Sequence, residues 1–159
     1  MKNIVPGYFY IFDTPLGLLK IEGNEEEITK IELNNPNSNR TFKLTKLLEK
    51  AFKEIEEFLN GKRKCFTFKI NPSGTELQKS VWNALLKIPY GEVKSYKDIA
   101  IAIGNPKACR AVGMANNKNP IPIVIPCHRV IGSNGKLTGY AYGLSLKDEL
   151  LHLEKKGTK

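Results

Sequence analysis

A thiol and an imidazole stand side by side at Cys127 and His128, after a β-branched run at 121–125 that prolines interrupt and follow. Prolines fix φ and remove backbone donors, so the segment is stiff and is expected to present the thiol from an extended strand. The thiolate is the nucleophilic form of cysteine, and neighbouring cationic groups lower the pKa of a thiol. The pair is therefore a candidate nucleophile with its base. A buried core cysteine is the alternative.

Further motifs accompany this pair within residues 72–157. In order, these motifs are Gly-Glu-Val-Lys-Ser-Tyr at 91–96, Arg-Ala-Val-Gly at 110–113 with Asn-Pro at 119–120, Pro-Cys-His-Arg-Val-Ile at 126–131, and Gly-Tyr at 139–140. Their order and spacing resemble those of the O6-alkylguanine-DNA alkyltransferases. Four motifs in matching order are far more specific than any one of them, whereas the first seventy residues are less distinctive.

The resemblance implies a reaction that five side chains share. Cys127 would accept an alkyl group from O6 of guanine in DNA, His128 would take the thiol proton through a water, and Glu154 would orient and charge-stabilise the imidazole. Tyr140 would hydrogen-bond the guanine ring, and Asn119 would bond the backbone of the turn before the thiol. No second nucleophile is evident to release the thioether, so each molecule would act once. The reaction needs neither a metal nor an organic cofactor.

The resemblance also implies how the base is recognised. The backbone carbonyls of Cys127 and Val130 would accept the exocyclic amine, and the backbone amide of Ala141 would face O6. The target atom is inaccessible in a stacked duplex, so the base must be flipped out. Tyr96 would press on the 3′ phosphate, and Arg110 would fill the gap and bond the orphaned cytosine. The implied DNA-binding residues are Ser95, Tyr96, Lys107, Ala108, Arg110, Ala111, Gly113 and Arg129.

Residues 1–70 are expected to form a scaffold domain without chemistry. Period-two alternation and turn signals predict β-strands within residues 4–33, and a loop at 34–40 follows. Apolar residues then recur at helical spacing over 47–59. The predicted class is α/β (α+β), with an antiparallel sheet packed on a helix, and the resemblance implies a ribonuclease H-like domain.

Residues 71–159 are expected to form the domain for DNA binding and alkyl transfer. Helices predicted at 96–103 and 107–116 flank a Gly-Asn-Pro turn, which is a helix-turn-helix pattern. Alanines and a glycine keep the second helix slim, so it can approach a groove closely. The resemblance implies a winged helix-turn-helix domain whose second helix enters the minor groove, where binding depends on shape more than on sequence.

Two more helices are predicted around that motif. A Thr-x-x-Gln capping box opens the first, whose apolar stripe predicts a buried face made of Leu77, Val81, Trp82, Leu85 and Leu86. Another capping box, at 145–148, is expected to open the last helix. Leu146, Leu150 and Glu154 lie four apart there, so Glu154 points inward and needs a partner. We expect His128 to be that partner; a carboxylate at a frayed helix end is the alternative.

Composition narrows the class of protein. The 159 residues are 41% hydrophobic and 26% charged, as in ordinary globular chains. We find neither a run as long as a membrane span nor a secretory signal. An odd number of cysteines without a CxxC pair predicts free thiols in a reducing cytoplasm, and two histidines among scattered cysteines argue against a zinc site. We expect a cytoplasmic monomer without a membrane partner.

The charge is basic and uneven. Of the formal net charge of +9, residues 1–70 carry +2 and residues 71–159 carry +7. A basic half predicts an anionic partner, most commonly nucleic acid. A lysine-rich surface that serves only solubility is the alternative.

The resemblance implies direct repair of O6-alkylguanine, and of O4-alkylthymine, in double-stranded DNA, and the basic C-terminal half agrees with a DNA partner. A lesion-binding protein that no longer transfers is one alternative, but the alkyltransferase-like proteins lack the reactive cysteine. A cysteine hydrolase acting on an acyl group is another. No glycine-rich oxyanion motif flanks Cys127, and a hydrolase would leave the basic helix-turn-helix without a role.

Overall fold

The structure, a computed structural model, describes residues 7–158 and divides the chain into two compact units, 1–73 and 74–159. Residues 4–6, where strands are predicted to begin, lie outside the described residues. In the described part, no helix is long and apolar enough to cross a membrane. No group of three or more His, Cys, Asp or Glu side chains in that same part could hold a metal ion.

The first unit contains a five-stranded sheet. Strands β1 (Tyr8–Thr14), β2 (Gly17–Gly23) and β3 (Glu27–Leu33) form the predicted antiparallel meander. Two strands of two residues each, β4 (Thr41–Phe42) and β5 (Lys69–Ile70), extend it with parallel pairing on either edge. Such short strands carry too little alternation for a sequence pattern to predict them.

One helix, α1 (Lys46–Leu59), packs on this sheet. The side chain of Thr45 caps it by accepting a hydrogen bond from the backbone N–H of Leu48 at 3.1 Å. Its apolar face is fully buried and consists of Leu48, Ala51, Ile55 and Phe58. This face and the meander form the core of the first unit.

The second unit holds the helix-turn-helix. Within the described residues its helices are α2 (Glu76–Leu86), α3 (Tyr96–Ala102), α4 (Cys109–Asn117) and α5 (Leu144–Gly157). Helices α3 and α4 pack on each other and on α2. Strands β6 (Lys94–Ser95) and β7 (Val130–Ile131) pair in parallel, and a turn at 132–136 forms the wing after β7.

Helix α2 begins as predicted but buries a narrower face. Thr75 and Gln78 form the capping box, each side chain accepting from the other's backbone N–H. Trp82 is buried, and its indole N–H donates to a backbone oxygen in α4 at 2.9 Å. Leu77 and Leu86 were predicted in the buried stripe, but both are exposed, at 42% and 44%. They flank the narrow face that contacts α3 and α4.

Helix α5 begins earlier than predicted, and its buried face also differs from the prediction. Its N-cap is Gly143, at φ 97°, without a side-chain cap, so the capping box predicted at 145–148 is wrong. Leu146 is only partly buried. The buried residues of the helix are Lys147, Leu150 and Glu154. Spacings of three and four place these on one face, so a lysine occupies the place predicted for a leucine.

Residues 121–126 form a tight turn, and the predicted extended strand is wrong. The backbone N–H of Ile125 donates to Ile121 O at 2.9 Å. Ile123 lies at φ +74°, a region that β-branched residues rarely adopt. Proline has no backbone N–H to donate to a neighbouring strand. The backbone groups of this segment therefore form hydrogen bonds to one another within the turn.

Candidate active site

Cys127 lies at the start of a single 3-10 turn, Cys127–Arg129. Its N–H donates to Ile125 O at 2.8 Å across Pro126, whose φ of −81° and ψ of 64° are those of an inverse γ-turn. Of the three cysteines, Cys65 and Cys109 are exposed and Cys127 is buried, at 4% exposure. Two consecutive local turns thus hold the backbone that carries the one buried thiol.

The protonation of this thiol is set mainly by burial. Burial raises the pKa of Cys127 to about 11, while a hydrogen bond from Asn119 and the charge of Lys147 act to lower it. These two contributions are smaller than the effect of burial. Cys127 keeps its proton at neutral pH, so any nucleophilic reaction requires a base.

His128 follows in the same turn and contacts a buried carboxylate. Its Nε2 lies 2.5 Å from Oε2 of Glu154, and the two side chains are 0% and 1% exposed. Burial lowers the pKa of His128, although Glu154 raises it, so the imidazole is neutral at pH 7. Its other nitrogen, Nδ1, is buried and has no hydrogen-bond partner among the described atoms. A neutral imidazole held in this way can accept a proton at Nδ1.

Glu154 stays ionised inside the protein because several donors converge on it. Arg129 donates from Nε to Oε1 at 2.8 Å and from Nη2 to Oε2 at 3.0 Å, and the N–H of Gly91 donates to Oε1 at 3.1 Å. Burial alone raises the pKa of this carboxyl, but the hydrogen bonds from His128 and Arg129 hold it at about 2. The carboxylate can therefore orient and stabilise a charged imidazole.

Arg129 was predicted to contact DNA, and its surroundings argue against this. Arg129 is only 7% exposed. Besides its two hydrogen bonds to Glu154, it donates from Nη1 to the backbone oxygen of Ile88 at 2.7 Å. Its guanidinium also lies 5.7 Å from the centre of the Tyr90 ring. Its positive charge compensates the buried Glu154 carboxylate, which needs a cationic partner. Arg129 therefore leaves little surface for a contact with DNA.

Asn119 joins the two ends of the turn before the thiol. Its Nδ2 donates to Ile125 O at 2.8 Å, and its Oδ1 accepts from the N–H of Ile121 at 2.9 Å. One amide side chain thereby supports the left-handed conformation of Ile123 between them. The position of the thiol depends on this side chain through the backbone.

Two buried side chains near the thiol were missed by the sequence analysis. Asn116 donates from Nδ2 to Cys127 O at 3.3 Å, and the N–H of Val130 donates to the same oxygen. Lys147 donates from Nζ to Thr138 O at 2.7 Å. Asn116 has no sequence signal, whereas Lys147 lies three residues before Leu150 and could have been recognised from helical spacing.

The loop after the wing carries Tyr140 and Ala141. The Tyr140 hydroxyl is buried, has no hydrogen-bond partner among the described atoms, and has its pKa raised by burial, so it is a protonated donor. Its ring meets that of Tyr142 edge-on at 6.1 Å. Ala141 is exposed, and Val130 is fully buried in β7.

The residues predicted to touch DNA lie mainly on α3 and α4. Ser95 caps α3 by accepting from the N–H of Asp98 at 3.0 Å. The Tyr96 hydroxyl donates to Thr138 O at 2.9 Å. Helix α4 starts two residues later than predicted, so two of the predicted contacts precede it and three lie within it. The five are Lys107, Ala108, Arg110, Ala111 and Gly113, of which Lys107 and Arg110 are exposed.

Comparison with known proteins identifies the family. The model for the ribonuclease-like domain of 6-O-methylguanine DNA methyltransferase matches residues 8–72, and the model for its DNA-binding domain matches residues 76–156. A methylated-DNA–protein-cysteine methyltransferase of Methanosarcina acetivorans is 50% identical over 157 residues, covering 92% of this chain and 97% of the relative. The constitutive enzyme of that name from Bacillus subtilis is 44% identical, covering 93% and 95%.

A solved structure agrees in fold. The OGT protein of Mycobacterium tuberculosis, crystallised in complex with DNA, superposes with a TM-score of 0.89 at 41% identity, and the match covers 94% of each chain. The mixed α/β class and the resemblance stated from the motifs are both confirmed. The chain therefore belongs to the 6-O-methylguanine DNA methyltransferase family.

Proposed function

We propose that this protein repairs O6-alkylguanine in double-stranded DNA by moving the alkyl group to Sγ of its own Cys127. Members of its family are DNA-repair methyltransferases that transfer to a protein cysteine, so DNA is its partner and alkyl transfer its reaction. The observation that carries the assignment to Cys127 is the 2.5 Å contact between His128 Nε2 and Glu154 Oε2, in the same turn as the one buried thiol.

The first step is removal of the thiol proton. Cys127 holds its proton at neutral pH, and His128 receives it at Nδ1 through a water. Glu154 keeps the ring oriented through Nε2 and stabilises the imidazolium that forms. The carboxylate is already charged because His128 and Arg129 hold its pKa at about 2.

The second step is in-line attack of the thiolate on the alkyl carbon. A carbon–sulfur bond forms and the carbon–oxygen bond breaks, so the electron pair of that bond leaves with the guanine O6. Tyr140, protonated because burial raises its pKa, donates a hydrogen bond to the departing ring. The product is a thioether that no second nucleophile releases, so each molecule acts once. The same geometry serves O4-alkylthymine.

Recognition follows from base flipping, because the target atom is buried in a stacked duplex. Tyr96 presses on the phosphate 3′ to the lesion, and Arg110, exposed on α4, fills the space that the base leaves. The Val130 carbonyl accepts the exocyclic amine, and the Ala141 amide faces O6. The backbone oxygen of Cys127 is a weaker acceptor for this amine, because it already accepts hydrogen bonds from Asn116 Nδ2 and from the N–H of Val130.

The remaining assignments concern the whole chain. Residues 1–70 serve as scaffold, and residues 71–159, which carry +7 of the net charge, bind DNA and react. Ser95, Lys107, Ala108, Ala111 and Gly113 approach the DNA backbone. The protein acts as a monomer in a reducing cytoplasm, which its free cysteines support.

Intact-mass measurement after mixing with a methylated duplex tests the assignment. We expect one methyl group per molecule, found on the peptide that contains Cys127. Cys127→Ser should bind the duplex without gaining mass, whereas Cys65→Ser, altered at an exposed thiol, should react as the wild type does. A methyl group on Cys65 or Cys109 would refute Cys127 as acceptor. Tight binding without any mass gain would mean that the protein only binds the lesion.

A further inference from the structure

Asn116 is a buried amide with one end unpaired. It lies in α4 and is 2% exposed. Its Nδ2 donates to the backbone oxygen of Cys127 at 3.3 Å, while its Oδ1 is buried and has no hydrogen-bond partner among the described atoms. The contact fixes which end is which, because turning the amide over would set its oxygen against another oxygen. Leaving a buried polar atom unpaired is costly, so this side chain calls for a functional reason.

The part of α4 that carries Asn116 faces the interior of the second unit. Val112 and Ala115 are buried on the same side of the helix, at the spacings of four and one that place them beside Asn116. The indole N–H of Trp82 donates to the backbone oxygen of Ala115 at 2.9 Å and so fixes this turn of the helix. An effect of Asn116 on the reaction therefore does not arise from its own contact with DNA.

The oxygen that Asn116 contacts belongs to the reactive residue. A backbone carbonyl oxygen has two lone pairs. The N–H of Val130 and Nδ2 of Asn116 both donate to Cys127 O, so both lone pairs are engaged within the protein itself. In the proposed function this oxygen and Val130 O are the two acceptors for the exocyclic amine of guanine. A donor that already occupies Cys127 O weakens that part of base recognition.

We propose that Asn116 is a specificity-determining residue, which widens the range of lesions by competing with the exocyclic amine for Cys127 O. The proposal rests on the proposed function, because it takes the turn at Cys127 and Val130 as the place of the flipped base. Thymine carries a carbonyl oxygen where guanine carries this amine. That oxygen is repelled by a free backbone oxygen, and less so by one that accepts two hydrogen bonds. Asn116 thus lowers the advantage of guanine lesions over thymine lesions.

The contribution of the amine can be isolated with a base that lacks only that group. O6-methylhypoxanthine carries the same methyl group on the same oxygen as O6-methylguanine, but it has no exocyclic amine. The ratio of the second-order transfer rates for the two bases, in duplexes of the same sequence, measures what the amine contributes. Differences in pairing and flipping between the bases are common to all protein variants, so they cancel when the ratios are compared. A general loss of rate from a displaced thiol cancels in the same way.

The test compares this ratio between the wild type and variants of α4. Asn116→Leu removes the donor and fills its space, so the ratio should rise about fivefold, the effect of one additional hydrogen bond. The preference for O6-methylguanine over O4-methylthymine should rise as well. Asn116→Ala decides the same point without crowding if the leucine variant does not fold. Asn117→Leu, at an exposed position on the same helix, is the matched control and should leave the ratio unchanged. A constant ratio in the Asn116 variants, or an equal rise in Asn117→Leu, would overturn the proposal.

A binding measurement keeps this proposal apart from the proposed function. In a Cys127→Ser background, which cannot transfer, the ratio of affinities for the O6-methylguanine and O6-methylhypoxanthine duplexes should change by a similar factor when Asn116→Leu is added. Transfer to Cys127 in the wild type, with both ratios unaffected by Asn116→Leu, refutes only the role of Asn116. A changed affinity ratio without any gain of mass in the wild type refutes only the proposed function.

Discussion

His128 Nε2 lies 2.5 Å from Glu154 Oε2, and this contact occupies one of the two ring nitrogens of the imidazole. Only Nδ1 is left to exchange a proton, in the same 3-10 turn as the Cys127 thiol. The carboxylate cannot rotate freely, because Arg129 and Gly91 hold its two oxygens as well. The tautomer and the orientation of the base therefore follow from Glu154.

Removing the charge of Glu154 should slow transfer more than it weakens DNA binding. Glu154→Gln keeps the shape of the side chain but lowers the affinity of His128 for a proton, so less thiolate forms. We expect the single-turnover rate at neutral pH to fall by about tenfold or more, equivalent to at least one pKa unit. DNA affinity should stay within about twofold, because the Glu154 side chain is only 1% exposed and cannot itself contact DNA.

Glu149→Gln is the control for this experiment, because it removes a carboxylate from the exposed side of the same helix. It should leave the transfer rate unchanged. Equal losses of rate in both variants would show that the net charge of α5, and not the contact with His128, controls the reaction.

The same carboxylate should make stability depend on acid pH. The pKa of Glu154 is lowered from 4.5 to about 2 in the folded protein, so its contribution is complete above about pH 4.5 and is lost as the pH falls towards 2. A shift of this size corresponds to about 3 kcal/mol. Urea unfolding followed by Trp82 fluorescence should show the wild type losing stability in this window faster than Glu154→Gln. A constant difference between the two proteins at all pH values would contradict the shift.

Asn119 should contribute to stability through the turn before the thiol. Asn119→Ala removes the hydrogen bonds to Ile125 O and Ile121 N–H, and leaving such groups unsatisfied costs about 1–3 kcal/mol. We expect a loss of that size in the free energy of unfolding, together with slower transfer. Asn117→Ala, at an exposed position on α4, should change stability by less than about 0.5 kcal/mol. Similar losses in both variants would mean that the turn does not depend on this amide.

Arg110 should matter more for paired DNA than for single strands. Flipping a base from a duplex costs a few kcal/mol, and Arg110 offsets part of this by filling the gap and bonding the orphaned base. Arg110→Ala at saturating protein should therefore slow repair of a duplex much more than repair of a single strand. Lys107→Ala removes an exposed cation before α4. It should reduce repair of both substrates by similar factors, because it lowers only the affinity for DNA. Equal proportional losses for Arg110→Ala would make it a phosphate contact.

The sequence by itself determined the family and much of the local structure. The order and spacing of the motifs sufficed for the family, because few proteins share four such strings in one order. The capping box at Thr75 and the burial of Trp82 follow from local rules, since a cap needs only its next turn and a stripe needs only its period. Glu154 was placed inward by the same reasoning, and the structure shows it buried against His128.

Tertiary structure alone decided where three other side chains point. Arg129 turns inward because a buried carboxylate on a distant helix requires a second partner, and no local pattern encodes that contact. Lys147 is buried and Leu146 only partly so, because residues three and four before Leu150 both lie beside its face, and packing in the folded unit decides which of the two is covered. Ile123 adopts a left-handed conformation because Asn119 bonds both of its flanks. Each case is a long-range or conformational choice that settles which groups surround the thiol, and local sequence patterns do not carry that information.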